Sequence, residues 1–409
     1  MLIKDDTVSN KDTVAKHGQS QVEGTSVLQF DNENNRKMSE DIDEETRRRV
    51  FKHCRELLGG SWSRIPSDKN LSIRPISGGL SNFIYLCKLP DGVDPIYGEP
   101  RQVLFRIYGQ MINESLQTVI AESVIFAVLS EKKLGPKLYG VFPGGRVEEY
   151  IPSRCLSTNE LSRRDFSKKI AQKMASFHSL DMPISKRPKW LYALSRRWIK
   201  DAQNNMGLVS EDSEKTKRLK ALLDNDLEAE LDWMKSTLDC LRSPVVFCHN
   251  DLQEGNILYS EESDATDSED YSLMPIDFEY CSYNFRGFDI ANHFLEWTMD
   301  YSYPDPPYYY RNPDNYPSIE QQRLFIESYL ESLPGGVVKE DEVAKIRREA
   351  EYYGMASHLF WTAWSLVQAF GSKISFGYTH YAESRFQAYL DLKNSLPSLI
   401  KEEKAAETN

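Results

Sequence analysis

Paired cysteines, long apolar runs and a signal peptide are all missing from this sequence. None of the six cysteines among its 409 residues forms a C-x-x-C pair or a tight Cys/His group, which argues against a zinc site. In a chain of this length they are typical of reduced thiols, so we expect a cytoplasmic protein. No apolar run approaches a membrane span and the N-terminus has no apolar core, so we expect no membrane insertion.

Basic residues are also fewer than acidic residues in this sequence. The formal net charge of −12 argues against nucleic-acid binding and against attraction to an anionic membrane surface. A negative chain favours a cationic substrate, but by itself this charge is more simply that of an ordinary acidic globular protein. The apolar content of 40% is typical of globular proteins, and the length fits two lobes.

Residues 249–258 carry most of the functional information. They read HNDLQEGNIL, with the spacing H-x-D-x-x-x-x-N, and IDFE follows at 276–279. In phosphoryl transfer one aspartate accepts the proton of the attacking hydroxyl, an asparagine five residues later helps to hold magnesium, and a later aspartate bridges the metal to the phosphates. Asp251, Asn256 and Asp277 stand at these positions. The sequence therefore predicts a kinase, although an isolated aspartate in such a place is often only a turn cap.

Two features of protein kinases are missing after Asp277. Glu279 stands where the D-F-G motif has its glycine, and no A-P-E sequence follows. Both differences argue against a flipping activation segment. We therefore expect the phosphate acceptor to be a small molecule rather than a protein.

The distribution of polar and apolar residues divides the chain into three parts. Residues 1–40 are polar and mixed in charge, which predicts a disordered tail. Residues 41–151 are expected to form an N-terminal lobe that binds the ATP phosphates, and 152–409 a larger, mainly helical C-terminal lobe that carries the catalytic and substrate-binding residues. The predicted fold class is α+β, with the two-lobed architecture of eukaryotic protein kinases and a small β-rich N-lobe.

The individual elements follow from the periodicity of the apolar residues. Strands are predicted at 71–76, 83–87, 102–108, 138–142 and 145–151. Helices are predicted at about 41–58, 117–132, 159–180, 213–242, 319–332, 341–370 and 379–397. The acidic, serine-rich segment 260–272 is predicted to be a loose surface loop.

A turn of small residues between the first two predicted strands is a candidate phosphate-binding loop. Its members are Ser77, Gly78, Gly79, Leu80, Ser81 and Asn82. The glycines let the backbone approach phosphates closely, and the polar side chains add donors. The G-x-G-x-x-G pattern is absent, and two glycines between strands are more often a plain hairpin turn, so this interpretation depends on the position of the turn.

Arg106 stands in an otherwise apolar strand, where a charge needs a partner or a ligand. Protein kinases place a lysine at the matching position, which holds the nucleotide phosphates and pairs with a helix glutamate. We expect Arg106 to do this with Glu122 as its partner; the alternative is a surface arginine. Glu149 and Ile151 lie in the predicted connector between the lobes, where backbone groups could bind adenine.

Aromatic residues are frequent after position 280. Trp361 and Trp364 are three residues apart and so share one face of a helix. The other candidates for a binding cage are Tyr280, Tyr301, Phe376 and Tyr381, with Glu296 as a nearby carboxylate. Aromatic cages bind quaternary ammonium groups. Rings at helical spacing are nevertheless usually core, and the pattern alone favours core.

Over residues 45–400 the chain resembles the choline/ethanolamine kinase family. The segments that carry the resemblance are SGGLSN at 77–82, VLFRIYG at 103–109, LGPKLYG at 134–140, HNDLQEGNIL at 249–258 and IDFEYCSYNFRGFDIANH at 276–293. The resemblance implies transfer of the γ-phosphoryl group of ATP to choline with Mg²⁺. The product would be phosphocholine, at the entry to phosphatidylcholine synthesis, and the family commonly forms homodimers.

The resemblance also assigns roles to residues. It makes Asp251 the base, places Arg106 near the phosphates, and makes Asn256 and Asp277 the metal ligands. Gln253 would lie beside this base and could contact the substrate hydroxyl. It also favours the cage over the core, because Tyr301, Trp361, Trp364, Phe376 and Tyr381 fall where the family builds its choline pocket, with Glu296 nearby.

Three alternatives stay open. Ethanolamine kinase uses the same chemistry on a primary ammonium, which needs hydrogen-bond acceptors rather than ring faces, and dual activity is compatible with the sequence. A phosphotransferase for aminoglycosides or homoserine shares the core motifs, but is expected to line its pocket with carboxylates more than tryptophans. A catalytically dead pseudokinase would usually have lost a catalytic residue, whereas Asp251, Asn256, Asp277 and Arg106 are all present.

Overall fold

A five-stranded antiparallel sheet forms the N-terminal lobe. The computed structural model describes residues 42–76, 82–96, 98–108, 116–207, 213–260, 273–372 and 374–399. The strands are β1 (Ser72–Ile76), β2 (Asn82–Lys88), β3 (Gln102–Tyr108), β4 (Leu138–Phe142) and β5 (Gly145–Glu149), in the order β1-β2-β3-β5-β4. Along β3, Val103 and Phe105 are fully buried on one face of the sheet, as expected for the period of a strand.

Three helices complete this lobe: α1 (Glu44–Leu58), α2 (Gly60–Ser63) and α3 (Leu116–Glu131). Helix α1 begins after Asp43, whose carboxylate accepts the backbone N–H of Thr46 at 2.8 Å. It ends at Gly59, whose φ of 70° suits glycine. Val50 and Cys54 of α1 pack on the sheet and bury its inner face.

The C-terminal lobe is mainly helical. Its helices are α4 (Thr158–Leu161), α5 (Arg164–His178), α6 (Trp190–Met206), α7 (Glu214–Leu223), α8 (Leu227–Asp239), α9 (Arg286–Glu296), α10 (Ile319–Ser332), α11 (Glu340–Gly371) and α12 (Tyr378–Ser395). Its short strands are β6 (Arg154–Cys155), β7 (Val245–Cys248), β8 (Ile257–Tyr259), β9 (Leu273–Pro275), β10 (Ser282–Phe285), β11 (Met299–Asp300) and β12 (Tyr310–Arg311). They form the small sheets β6-β8-β9, β7-β10 and β11-β12.

Helix α11 is the central element of the C-terminal lobe. It packs against α6, α9, α10 and α12, and most of its residues from Val343 to Ala369 are buried. The helices around it supply one large apolar cluster. Because α9 and α12 both lie on α11, side chains from these three helices can meet at one site.

A second apolar cluster joins the two lobes. It contains Phe126 and Leu129 from α3 together with Phe177, Phe247 and Phe278 of the C-terminal lobe. The rings of Phe126 and Phe278 are 5.7 Å apart. Since Phe278 directly follows Asp277, the position of α3 is coupled through packing to the I-D motif.

The two-lobed fold class is confirmed, and the structure refines the elements. The predicted helix at 159–180 is α4 and α5, and that at 213–242 is α7 and α8, separated near Asp226 with its φ of 45°. The last predicted N-lobe strand ends at Glu149 rather than at 151. Helices α6 and α9 were not predicted. In α9 the polar residues are buried and hydrogen-bonded, so the sequence shows no alternation of a polar and an apolar helix face. The loop predicted at 260–272 lies almost entirely outside the described residues.

The sequence predicts reduced cysteines and no membrane insertion. No disulfide joins any of the six cysteines, all of which lie in described segments. Across the described ranges, none of the helices has the length and apolar character needed to cross a bilayer.

Replacing Gly287 in α9 with alanine tests the close packing of α9 on α11. A Cβ at this position would lie 2.6 Å from Cδ2 of the buried Tyr353 and 3.0 Å from Cβ of Glu349. We expect Gly287→Ala to lower the free energy of unfolding by about 1–3 kcal/mol, measured by urea denaturation. Gly354→Ala in α11 is the matched control, because its Cβ would meet Leu392 Cδ1 at 3.2 Å. Equal midpoints for the two variants would contradict this account of the packing.

Candidate active site

The loop between β7 and β8 carries the H-x-D-x-x-x-x-N motif. Asn250 has a φ of 68°, a conformation that asparagine adopts more readily than most residues. Its buried amide donates to the backbone oxygen of Tyr280 at 2.9 Å and accepts from Asn284 Nδ2 at 2.8 Å. The loop then turns through the short 3₁₀ helix Glu254–Asn256. Its bend is therefore fixed by side-chain bonds to the segment that follows the I-D motif.

Asp289 of α9 holds the backbone just before Asp251. Its Oδ2 accepts the N–H of His249 at 2.9 Å, its Oδ1 accepts that of Asn250 at 2.7 Å, and His178 Nε2 lies 3.0 Å from Oδ2. Burial opposes the negative charge, but the bond to His178, the charges of His178 and His249 and the Asn250 N–H lower the pKa of Asp289 below its ordinary value. Asp289 is therefore ionised, and both of its oxygens are hydrogen-bonded.

Asp251 and Asn256 are in direct contact. Asn256 Nδ2 donates to Asp251 Oδ2 at 2.9 Å and to the Asp251 backbone oxygen at 2.8 Å. Burial, followed by the charges of Glu296, Asp277 and Glu279, raises the pKa of Asp251 well above its ordinary value, and the bond from Asn256 opposes this. Carboxylates crowded in this way attract a proton or a cation.

The two aspartate motifs are tied together by the backbone. Ile276 N donates to the backbone oxygen of Asn256 at 2.9 Å, and His249 Nε2 lies 3.0 Å from the oxygen of Ile276. Asp277 has a φ of 64°, and its charge acts on Asp251. The structure thus brings Asp251, Asn256 and Asp277 into one site.

The predicted ion pair between Arg106 and Glu122 is wrong. Arg106 bonds Glu148 at 3.1 Å, and Arg146 bonds both Glu148 and Glu122, the latter at 2.8 Å. These residues form a chain in the order Arg106, Glu148, Arg146, Glu122. The reason is strand pairing: β3 and β5 are neighbours with Arg106 opposite Arg146, which puts a carboxylate of β5 within reach. The order of elements along the sequence does not reveal that register.

The other nucleotide-site candidates lie along the same lobe. Residues 77–81 of the glycine turn are outside the described residues, and Asn82 is the first residue of β2. Glu149 ends β5, where its Oε2 accepts the N–H of Lys137 at 2.9 Å. Ile151 follows in the connector between the lobes and is partly buried.

The aromatic candidates meet in one group, the aromatic cluster, which comprises Tyr280, Tyr301, Trp361, Trp364, Phe376 and Tyr381. Ring centroids are 5.8 Å apart for Tyr280 and Trp361 and 5.5 Å for Trp361 and Trp364. Tyr381 lies 6.5 Å from Trp364, 6.2 Å from Tyr301 and 5.6 Å from Phe376. Only Trp361 and Tyr381 of these six described residues are buried, so the cluster packs on the core and still leaves ring surface accessible.

Tyr280 joins the aromatic cluster to the carboxylates of Asp251 and Asp277. Burial, and then the charges of Glu279, Asp251 and Asp277, raise the pKa of its phenol well above the ordinary value. Hydrogen bonding by the indole N–H of Trp364 to the phenol oxygen opposes that rise in the pKa. Tyr280 therefore lies close to the charges of Asp251 and Asp277 and beside both Trp361 and Trp364.

Glu296 lies beside the aromatic cluster, and the protein itself supplies the counter-ion of its carboxylate. Arg385 Nη2 is 2.7 Å from Glu296 Oε1, and the Tyr301 hydroxyl donates to Oε2 at 2.8 Å. Both members of the ion pair are at most 1% exposed. The counter-ion of Glu296 comes from α12, far away in the sequence, so no local pattern marked this ion pair.

Several residues of the site were missed by the sequence analysis. Asn292 of α9 accepts the Trp361 indole N–H at 2.8 Å and donates to the backbone oxygen of Asn250 at 3.4 Å, so it links the aromatic cluster to the catalytic loop. The missed polar residues of α9 are Asp289, Asn292 and His293, which with Glu296 follow the spacing of one helical face. That spacing within the I-D segment was an available signal, whereas nothing local marked Arg385.

Comparisons with known proteins agree with this geometry. The family model described as choline/ethanolamine kinase matches residues 73–390. The chain belongs to the choline/ethanolamine kinase family. It is 45% identical to "Choline/ethanolamine kinase" of Rattus norvegicus, covering 90% of this chain and 91% of that protein. It is 43% identical to "Choline kinase alpha" of Mus musculus, covering 86% and 82%.

Solved structures show the same fold. A choline kinase from Cryptosporidium parvum matches with a TM-score of 0.70 and 26% identity, covering 87% of this chain and 96% of that one. A Plasmodium vivax ethanolamine kinase matches with a TM-score of 0.67 and 24% identity, covering 88% and 90%. The second likeness supports the fold alone.

Within the catalytic loop of this kinase, Gln253 and Glu254 are engaged by the protein itself. Gln253 Oε1 accepts the N–H of Gly255 at 2.8 Å, so this oxygen caps its own turn. Thr158 Oγ1 lies 2.9 Å from the backbone oxygen of Met299 and 3.2 Å from Glu254 Oε1. A hydroxyl has one hydrogen and the Met299 oxygen can only accept, so a protonated Glu254 satisfies both contacts.

The surroundings of Glu254 agree with a protonated carboxyl. Its Oε2 is buried and has no hydrogen-bond partner among the described residues, which is far less costly for a neutral group than for a charged one. Burial, and then the charge of Glu296, raise the pKa of Glu254 to about 8. Glu254 is therefore neutral below that pH.

Glu254→Gln tests this protonation state through stability. Since the pKa rises on folding from 4.5 to about 8, only the folded state keeps the proton between these values, and the free energy of unfolding falls as pH increases. The slope is about 1.4 kcal/mol per pH unit at most. We expect the Tm of Glu254→Gln minus that of wild type to grow from pH 5 to pH 8.

Glu160→Gln is the control for that experiment. Hydrogen bonding by Arg154 lowers the pKa of Glu160 to about 2, so its contribution is lost only as pH falls from the ordinary glutamate range towards that value. The Tm difference for Glu160→Gln should be nearly constant between pH 5 and pH 8. A constant difference for Glu254→Gln as well would show that Glu254 is already ionised.

Proposed function

We propose that this chain is a choline kinase, which transfers the γ-phosphoryl group of ATP to the hydroxyl of choline and forms phosphocholine. The observation that carries the proposal is the packing of the aromatic cluster next to Asp251 and Asp277 through Tyr280. Ring faces attract a quaternary ammonium without hydrogen bonds. Choline has a short chain between its nitrogen and its hydroxyl, so a cation held by the rings brings the hydroxyl towards the carboxylates.

Asp251 is proposed as the base. The proton of the choline hydroxyl passes to its carboxylate, the oxygen forms a bond to the γ-phosphorus, and the bond from that phosphorus to the bridging oxygen of ADP breaks. The raised pKa of Asp251 makes it a stronger base than an exposed aspartate. The bond from Asn256 to Oδ2 orients the carboxylate and leaves Oδ1 for the substrate.

Asn256 and Asp277 are proposed to hold magnesium. The side-chain bonds described for Asn256 use Nδ2, which leaves its Oδ1 for a cation, and Asp277 contributes to the crowding of charge around Asp251. Carboxylate and amide oxygens suit Mg²⁺, so the residues fit the ion. When bound, the ion offsets negative charge on the triphosphate.

The nucleotide is proposed to lie against β3 and the connector between the lobes. Arg106 gives Nε and Nη2 to Glu148, so Nη1 is the part of its guanidinium left for a phosphate. The turn at 77–82 is proposed to supply backbone N–H groups to the phosphates. Backbone groups of Glu149 and Ile151 are proposed to bind adenine.

The test is phosphoryl transfer from ATP with Mg²⁺, measured side by side for choline, ethanolamine and homoserine on the purified full-length protein. We expect the highest kcat/KM for choline. Equal or better use of ethanolamine, which the names of the relatives also cover, would keep the kinase but contradict the aromatic cluster as the selector. Transfer to none of the three would contradict the proposal and favour a pseudokinase.

Asp251→Asn tests the proposed base. The amide keeps the shape of the side chain but cannot accept the proton, so kcat should fall by about 10²–10⁴-fold or more, with little change in the KM for choline. Asp239→Asn, which removes a half-exposed partner of Lys235, should retain kcat. Turnover near wild type in a folded Asp251→Asn variant would assign the base to another group.

Trp364→Ala tests the aromatic cluster. Loss of one ring–cation contact of about 0.5–2 kcal/mol should raise the KM for choline roughly two- to thirtyfold, with a smaller effect on kcat. Trp233→Ala is the control, because Trp233 lies under Lys393 with its ring 4.3 Å from Nζ, away from the cluster. An unchanged KM would remove Trp364 from the choline site.

The assembly and the location are separate proposals. A homodimer and a cytoplasmic location both follow from the resemblance and from the sequence, and each stays a prediction. Light scattering on the purified protein would test the first, and imaging of the tagged protein in cells would test the second.

A further inference from the structure

Arg385 of α12 is a buried cation beside a pocket proposed to bind a cation. Its side chain is 0% exposed. Nη2 lies 2.7 Å from Glu296 Oε1, while Nε and Nη2 lie 2.9 and 2.7 Å from the Tyr381 hydroxyl oxygen. Nη1 is 3.5 Å from His358 Nδ1. A positive charge here weakens the attraction for a cationic substrate, so its presence calls for another role.

The hydroxyl hydrogens next to Arg385 have defined directions. Tyr301 gives its only hydrogen to Glu296 Oε2, since a carboxylate can only accept. The contact of 2.9 Å between the hydroxyls of Tyr301 and Tyr381 is then a donation from Tyr381. Tyr381 in turn accepts from the guanidinium of Arg385. The hydrogen bonds from Arg385 to Tyr381, from Tyr381 to Tyr301 and from Tyr301 to Glu296 therefore all run in the same direction.

His358 fits the same arrangement. Burial, and then the charges of Arg385 and Arg311, lower the pKa of His358 well below its ordinary value, so its ring is neutral and can accept from Arg385. The guanidinium thus has acceptors on Glu296, Tyr381 and His358, and Nη2 also lies 3.3 Å from the Tyr301 hydroxyl oxygen. These bonds hold Arg385, Glu296, Tyr381 and His358 in one arrangement.

These bonds limit the hydrogen-bond acceptors that Glu296, Tyr301 and Tyr381 can offer to a substrate. Each oxygen of Glu296 already has a donor, its charge has a counter-ion, and the hydrogens of Tyr301 and Tyr381 are committed. A primary ammonium that leaves water needs acceptors for its three N–H groups, and burying it without them is costly. A trimethylammonium needs only ring faces, and the partly exposed ring of Tyr301 supplies one here.

We infer that Arg385 is a positioning residue that sets the preference for a fully methylated ammonium over a primary one, by occupying Glu296 and fixing the hydroxyls of Tyr301 and Tyr381. This inference rests on the proposed choline kinase function. It predicts that the loss of one hydrogen bond to Glu296 favours substrates with N–H groups. The change in kcat/KM should be graded along ethanolamine, its N-methyl and N,N-dimethyl derivatives, and choline.

Tyr301→Phe and Tyr381→Phe form a matched pair for the test. Each removes one hydroxyl from the aromatic cluster, but only Tyr301→Phe takes a donor away from Glu296. We expect the ratio of kcat/KM for choline to that for ethanolamine to fall up to about tenfold in Tyr301→Phe, the effect of one hydrogen bond to a charged group. In Tyr381→Phe the ratio should stay within about twofold of wild type, because both bonds to Glu296 remain.

Arg385→Met removes the counter-ion and should shift the ratio further in the same direction. A buried glutamate without its partner can prevent folding. If Arg385→Met does not fold, the comparison of Tyr301→Phe with Tyr381→Phe tests the inference. General structural damage lowers the use of all four substrates alike and leaves the ratio unchanged, so the ratio separates selection from stability.

The outcomes distinguish this inference from the function on which it rests. Choline phosphorylation with equal ratios in wild type and Tyr301→Phe would overturn the role of Arg385 while the kinase stands. A ratio that falls equally in both tyrosine variants would also overturn it. A wild-type protein that phosphorylates none of the four substrates would overturn both the function and the inference.

Discussion

The carboxylate of Asp289 is the constraint on which the rest of the site depends. It accepts the backbone N–H groups of His249 and Asn250 and contacts the ring of His178. These bonds hold the chain in the sharp turn at Asn250, and the next residue is Asp251. A carboxylate this deeply buried is costly unless every lone pair is used. Here the same bonds that stabilise its charge also position the proposed base.

Helix α9 extends this arrangement to the substrate side. Asp289 bonds the catalytic loop, Asn292 bonds both that loop and Trp361, and Glu296 bonds Arg385 and Tyr301. These residues share one face of the helix. One rigid element therefore sets the distance between the proposed base and the aromatic cluster, and transfer to a small hydroxyl depends on such positioning.

The sequence predicts those parts of the structure that local patterns control. Strand β3 and helix α10 agree with the predicted bounds, the helix being marked by the capping box of Ser318 and Gln321. The sequence also singled out the aromatic residues and aspartates that the structure brings together, and the resemblance to the family was needed to favour a cage over a core.

Other features could not be predicted because they depend on distant contacts. The partner of Arg106 depends on the register between β3 and β5, which the order of elements leaves open. The neutralisation of Glu296 depends on Arg385, from another helix. Both features concern the partner of a buried charge, and tertiary packing determines that partner.

The most direct measurement is kcat for Asp289→Asn at saturating ATP, Mg²⁺ and choline, on protein whose circular dichroism matches wild type. The amide keeps the shape of the carboxylate but turns an NH₂ group towards a backbone N–H. We expect kcat to fall by about 10²-fold, the effect of a small misplacement of a catalytic group, with the KM for choline nearly unchanged. A folded variant with wild-type kcat would show that Asp289 does not position Asp251.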